Sequence, residues 1–340
     1  MKRVVASSAA VLASFVLLLA FGAAFGHPAG QILATLFDGS IGSRFAIEGS
    51  LIKSVPLLLT GLSVAMAFRA GVWNIGAEGQ FIAGALGALM AARFGMVPAI
   101  AASIAAGMAW ASVATLLRFW RDAPEVLTTI LLNFLAIHLL GYAVNGPLQE
   151  AGARYPQTDL ATARALLPRL GGSEVHAGAL LAVAVAVSLW FLLERTTAGL
   201  RMRAVGFNAS AASHAGVDVR AQIARAMAVS GAIAGLAGGV ELLGVTHRLF
   251  ERFAAGYGYA GIAVALLAGL NPLACIASAL FFGAFATGAG ELQRSAGISS
   301  SIATFGQAVV ILALLAFPTG SRLWRRRRGD ALPAADGDGV

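Results

Sequence analysis

The sequence predicts an all-α fold: a polytopic membrane helix bundle of about ten transmembrane helices, with the N- and C-termini cytoplasmic. Three observations carry this. Hydrophobic residues make up 58% of the 340 and charged residues only 12%, where a soluble domain carries roughly a quarter charged. The apolar residues fall in runs near the span of about 20 that a bilayer core requires. The arginines gather between those runs, as the positive-inside rule expects for cytoplasmic loops.

The elements follow in order. Lys2 and Arg3 precede an apolar run over 4–26. It reads as a retained helix, because it is long for a signal-peptide core and lacks a clean cleavage site. Residues 27–50 are mixed, and Arg44 and Glu48 argue against burial in lipid. The second span covers 51–68, with Lys53 placed to snorkel. A polar, glycine-containing segment over 71–80 leads into the third apolar run, which ends at Ala92. Residues 94–117 carry no charge and form the fourth span; Arg118, Arg121 and Asp122 then mark a loop. The fifth span is 126–144. The external loop 145–176 is the longest hydrophilic stretch and contains Pro147, Pro156, Pro168, Gly171 and Gly172 as breakers.

The sixth span is 177–193. Segment 194–225 is polar and basic, with Arg195, Arg201, Arg203, Arg220 and Arg225, and the seventh span follows over 226–244. Residues 253–290 hold no charge. That length exceeds one helix and suffices for two, with Asn271 and Pro272 as the turn between them. A last span over 300–317 completes the transmembrane domain, 1–321. The tail, 322–340, is basic at first, with arginines at 322 and 325–328, and its Ala/Asp/Gly end has a disordered composition. A nine-helix count would put the 325–328 arginines outside, against the rule.

The net charge of +8 does not point to nucleic acid, because the arginines alternate with apolar runs instead of lining one face. Cys275 is the single cysteine, so an intrachain disulfide and a cysteine-based metal site are both excluded. The two lysines, Lys2 and Lys53, follow no glycine-rich run, so there is no Walker A phosphate loop. His27, His138, His176, His214 and His247 sit on separate elements, and no H-E-x-x-H or G-x-S-x-G motif occurs. The reading is of a protein without enzymatic site, cofactor or metal.

Glycines must help pack the helices, since lipid offers no hydrophobic force between them. Gly231, Gly235 and Gly239 share one helix face, and Gly84 with Ala88 repeats the spacing. Polar residues within apolar runs are costly and therefore candidates for function. Asn74, Glu78 and Gln80 cluster before the third run; Asn133 and His138 lie in the fifth; Glu241 closes the seventh; Glu291, Gln293 and Gln307 come later. A helix would bring Asn74 and Glu78 together at i and i+4. Two readings stand for these residues: a buried network that fixes packing, or the wall of a translocation path formed by Asn74, Glu78, Gln80 and Asn133. A broken or re-entrant segment is tolerated at this depth only if buried in protein or facing water.

Four motifs then become specific. Residues 71–80 read GVWNIGAEGQ, 125–134 read EVLTTILLNF, 197–212 read TAGLRMRAVGFNASAA with Gly216 following, and 261–272 read GIAVALLAGLNP. In this order, across roughly residues 50–318, they resemble the signatures of ABC-transporter permeases of the nucleoside and simple-sugar importer group, within the branched-chain amino acid/ribose-type superfamily. The 125–134 segment is similar to the larger of two paired permeases. Trp73 and Ala268 are small departures, at positions where Phe or Val and Gly are usual.

The resemblance implies a multi-pass subunit of a bacterial inner membrane. It implies cytoplasmic ATPase subunits as partners, a second, shorter permease, and an extracytoplasmic solute-binding protein. It also implies that 194–225 is the coupling segment that docks on the ATPase, through Gly199, Arg201, Arg203, Gly206, Asn208, Ala212 and Gly216. With few charges available to line a path, an uncharged hydrogen-bonding solute such as a nucleoside is expected. A pentose or other simple sugar is the alternative cargo, and an ion-coupled secondary transporter is the more distant rival.

Overall fold

A computed structural model describes residues 28–296, apart from 153 and 255, together with 305 and 308. The expected first span, nearly all of the last span and the basic tail fall outside the described residues. Among the described residues the fold is all helical: α1 (Ala29–Ile41), α2 (Arg44–Arg69), α3 (Ala77–Ala91), α4 (Met96–Arg121), α5 (Glu125–Val144), α6 (Gly178–Arg195), α7 (Thr197–Phe207), α8 (Ala209–His214), α9 (Val219–Glu241), α10 (Tyr257–Leu267) and α11 (Pro272–Ala296). Among the described residues, six helices are long and apolar enough to cross a membrane: α2, α4, α5, α6, α9 with the π-turn that extends it, and α11.

α2 and α9 form the centre. Both are apolar and buried around nearly their whole circumference, the property of a helix surrounded by other helices. α9 packs on α4, α3 and α2, and α11 packs on α2. α4, α5 and α6 bury only a narrow stripe and turn the rest outward. Their outward faces carry large apolar side chains such as Leu116, Leu131, Phe134 and Phe191, as a surface in hydrocarbon requires.

The glycines set the closest approaches. A Cβ at Gly84 or Gly107 would collide with the backbone of α9 at Gly235, and one at Gly235 would meet the Ser103 carbonyl and Gly107. Three helices therefore touch backbone to backbone at one level, the small-residue packing that membrane helices use.

The region before the second span differs from the sequence reading. The mixed stretch 27–50 is mostly helical: α1 occupies Ala29–Ile41, and α2 starts at Arg44, seven residues before the expected span. The physical reason is local. The Ser43 hydroxyl accepts the Ala46 N–H at 3.1 Å as an N-cap, and Arg44 pairs with Glu48 at 2.7 Å one turn on. Both charges also hold the long loop: Arg44 donates to the Gly172 carbonyl and Glu48 accepts the Glu174 N–H. Segment 194–225 is likewise helical, as α7, α8 and the first turns of α9. The expected break at Asn271 and Pro272 is present, with Gly269 at φ 60° and Leu270 at φ 62° between α10 and α11.

The bundle has two ends. At one, residues 145–176 fold over the helices, with Thr158, Ala161 and Leu167 donating N–H groups to the carbonyls of Leu249, His247 and Leu243. At the other lie α7, α8 and the C-terminus of α2. After a π-turn, Leu242–Thr246, the chain re-enters the bundle. The rings of Phe253 and Tyr257 rest near Phe81, and α10 begins inside the fold.

Candidate functional site

Two helices, α3 and α10, begin inside the bundle, so each leaves unpaired N–H groups where water is scarce. The polar residues singled out in the sequence answer this. Residues 70–76 between α2 and α3 are not helical, so Asn74 and Glu78 do not meet as an i, i+4 pair. Gly71, at φ 75°, turns the chain against Gly206. Asn74 bonds instead to Gln80, with 3.0 Å contacts in both directions, to the Gly76 N–H at 2.9 Å and to the Ser230 hydroxyl at 2.8 Å. Ser230 in turn donates to the Ser63 carbonyl, which ties α2, α3 and α9 at one level.

Asn133 spans the same break from α5. Its Oδ1 accepts the Gly79 N–H at 2.8 Å, and its Nδ2 donates to the Ile75 carbonyl at 2.9 Å and to the Tyr259 hydroxyl at 3.2 Å. Thr129, one turn earlier, accepts the Ile75 N–H. Glu78 acts on the other broken helix: its two carboxylate oxygens accept N–H groups of Gly256 and Gly258 at the start of α10. A carboxylate there completes the backbone bonding and meets the positive end of the helix dipole. Asn74, Glu78, Gln80 and Asn133 are thus brought into one layer and are all buried within this subunit. Tyr259, partly exposed, is the outward edge of that layer.

His138 was expected in a buried network with the others, but it sits on the exposed side of α5. Helical periodicity explains the difference, since Asn133 and His138 are five residues apart and point to different faces. Glu291 pairs with Arg294 at 2.7 Å beside an open cavity of about 560 Å³ between α1, α2 and α11.

The opposite end organises the coupling candidates. Thr196 caps α7 through the Gly199 N–H, Asn208 caps α8 through the Ala211 N–H, and Asp218 caps α9. Gly199 is buried against the backbone of Leu192 and Leu193, which lets α7 fold sharply back on α6. Gly206 lies against the Arg69 carbonyl, Ala212 is buried, and Gly216 takes φ 80° after α8. Arg201 is exposed, whereas Arg203 binds Glu194 at 3.1 Å. Glu194 also holds Arg69 at 2.7 Å, and Arg69 donates to the Leu270 carbonyl at 3.0 Å. One carboxylate therefore links α6, α7 and α2, and through α2 the α10–α11 turn. Phe207, 89% exposed, and Leu200, 59% exposed, project from α7 with Arg201.

Sequence reasoning missed Thr129, Ser63, Ser230, Glu194 and Tyr259. The only available signal was hydroxyls on apolar helices and one acid at a helix end.

Outside both clusters, His176 is buried between Gly178 and Gly244 at the loop end. Burial, aided by neighbouring His247, pushes its imidazole down to about 4.

Residues 46–317 match the profile of the branched-chain amino acid transport system / permease component family. The chain is 33% identical to the glucose ABC transporter permease protein TsgB13 of Haloferax volcanii, over 88% of this chain and 84% of that one. It is 32% identical to the guanosine ABC transporter permease protein NupP of Bacillus subtilis, over 84% and 86%. It is 29% identical to the nucleoside ABC transporter permease protein NupB of Lactococcus lactis, over 91% and 90%. No solved structure matches the chain.

Proposed function

Because this chain belongs to the branched-chain amino acid transport system / permease component family, we propose that it is the translocating subunit of an ABC importer for a nucleoside-like solute. The observation that carries the reading is the likeness, over most of both chains, to permeases named for guanosine and nucleoside transport. The chain's own chemistry agrees, since its intramembrane polar groups are mostly neutral amides and hydroxyls suited to an uncharged solute with many donors and acceptors. The similarity to a glucose permease supports a simple sugar as the second reading.

In this reading the α7–α8 end faces the cytoplasm and the 145–176 loop faces outward. The expected spans over 4–26 and 300–317 then bring both termini, and the arginines at 325–328, to the cytoplasmic side. With α2, α3, α4, α5, α6, α9, α10 and α11 they give about ten crossings. The ATPase subunits meet Leu200, Arg201 and Phe207. Their movement passes through Glu194 to α2 and the α10–α11 turn, and the bundle switches access from one side to the other. Asn74, Glu78, Gln80 and Asn133 hold the two broken helices that border the path, and Tyr259 presents that layer at its edge. A second, shorter permease completes the path, and a solute-binding protein delivers cargo to the outer face.

The test is uptake of labelled guanosine, ribose and glucose by inner-membrane vesicles holding the whole importer, with its binding protein supplied. Guanosine uptake, competed by other nucleosides and not by sugars, is expected. Hexose uptake indifferent to nucleosides would replace this cargo with a sugar.

A further inference from the structure

Two carboxyls are buried at membrane depth near the re-entrant segment, and they differ in one respect. Each oxygen of Glu78 receives a backbone N–H. Glu241 is 6% exposed, yet among the described residues its carboxyl has no hydrogen-bond or ion-pair partner. An unpaired carboxyl in such a setting is costly, and a fold retains one where something binds it.

Its position supports that. Glu241 is the last residue of α9 before the π-turn Leu242–Thr246. π-turns inside α-helices are rare and often occur at functional sites. The turn's extra residue is accommodated locally, since the Thr246 hydroxyl reaches back to the Glu241 carbonyl at 3.5 Å. Tyr257, at the start of α10, lies within electrostatic reach of both Glu241 and Glu78. Glu241 therefore stands above the Asn74 layer, toward the end where the 145–176 loop closes, beside the start of a broken helix. In transporters, solute groups are met at such interruptions.

We propose that Glu241 is a solute-contacting residue of the translocation path, accepting hydrogen bonds from the hydroxyl or N–H donors of the cargo; this rests on the importer reading above. A donor-rich solute supplies what the static fold lacks, and a carboxyl discriminates strongly between cargo that can donate and cargo that cannot.

Two experiments test it. In the first, vesicles with the complete importer take up guanosine or its 2′,3′-dideoxy analogue, with the binding protein saturated by each. Glu241→Ala is expected to lower guanosine uptake at least tenfold at unchanged half-saturation and to narrow the preference over the dideoxy analogue. Glu241→Gln, which keeps an acceptor, is expected to retain more of both. A merely structural role would lower assembled protein and leave the preference of the remaining transporter intact, and that result would overturn the proposal. The second is independent of cargo. In Glu241→Cys combined with Cys275→Ser, a membrane-impermeant thiol reagent applied outside is expected to label position 241 in one nucleotide state and not the other. Absence of labelling in both states would refute a path position. If labelling switches but nucleosides are not imported, the cargo reading fails and the path assignment stands.

Discussion

Replacing Asn133 by Leu tests how the break between α2 and α3 is held. Leucine keeps the branched shape of asparagine and is somewhat bulkier, so no cavity is left. What changes is bonding. The Gly79 N–H, one of the unpaired donors of the first turn of α3, loses its 2.8 Å acceptor, and the Ile75 carbonyl loses its 2.9 Å donor. The Tyr259 hydroxyl is partly exposed and can find another partner. An orphaned buried polar group costs about 1–3 kcal/mol, so two give about 2–6 kcal/mol. Interhelical side-chain bonds in membrane proteins average only about 0.6 kcal/mol, because the unfolded chain in lipid also finds partners. Orphaned backbone at a helix break has fewer such alternatives, which puts the expected loss near 3 kcal/mol. Unfolding of the purified subunit in mixed micelles, followed by tryptophan fluorescence, measures it. Ser112→Ala is the control: that hydroxyl bonds its own helix at the Met108 carbonyl and is exposed, and its loss should stay within about 0.5 kcal/mol. A loss below about 1 kcal/mol for Asn133→Leu would refute the backbone-stitching account.

Three other outcomes are expected. Gly235→Leu should abolish recovery of folded protein, because the side chain meets the Ser103 carbonyl and Gly107 backbone, whereas Gly141→Leu enters open space and should be tolerated; yield after size-exclusion chromatography separates them. Glu194→Ala leaves Arg69 and Arg203 without their shared anion and should lower ATP-driven uptake at least tenfold at similar membrane abundance; unchanged uptake would remove this link from the coupling route. His176 gives a pH signature: its folded pKa lies at about 4, below the ordinary 6.5, so stability is fully present above about pH 6.5 and falls as the unfolded chain takes up a proton that the folded one refuses. The loss by pH 4 is on the order of 3 kcal/mol, measurable as a falling unfolding midpoint that His176→Gln should flatten.

Much of this fold was legible because hydropathy and charge act over whole segments. The uncharged stretch 253–290 demanded two helices, and Pro272 marks where the second starts. The polar residues of the 71–80 motif and Asn133 stood out because lipid-depth positions are otherwise apolar. Their partners did not. Nothing local says that Asn74 bonds Ser230 across 156 positions, or that Glu78 closes a helix that starts at Tyr257. The i, i+4 spacing of Asn74 and Glu78 misled, because Gly71, at positive φ, lets the chain leave helical geometry where tertiary bonds replace the lost ones. Arg201 and Arg203 looked equivalent in sequence. Only the packing of α7 against α6 shows one free and the other held by Glu194.

The proposed coupling of solute movement to an ATPase across the α7–α8 surface has a direct test. Accumulation of labelled guanosine is measured in proteoliposomes that contain the complete importer, with binding protein on the extracytoplasmic side and ATP on the cytoplasmic side, comparing wild type with Arg201→Glu/Phe207→Asp. Accumulation that requires ATP hydrolysis and falls at least tenfold in the variant, while both assemble in the membrane, is expected. Accumulation that proceeds without ATP on an ion gradient, or that is unchanged in the variant, would contradict it.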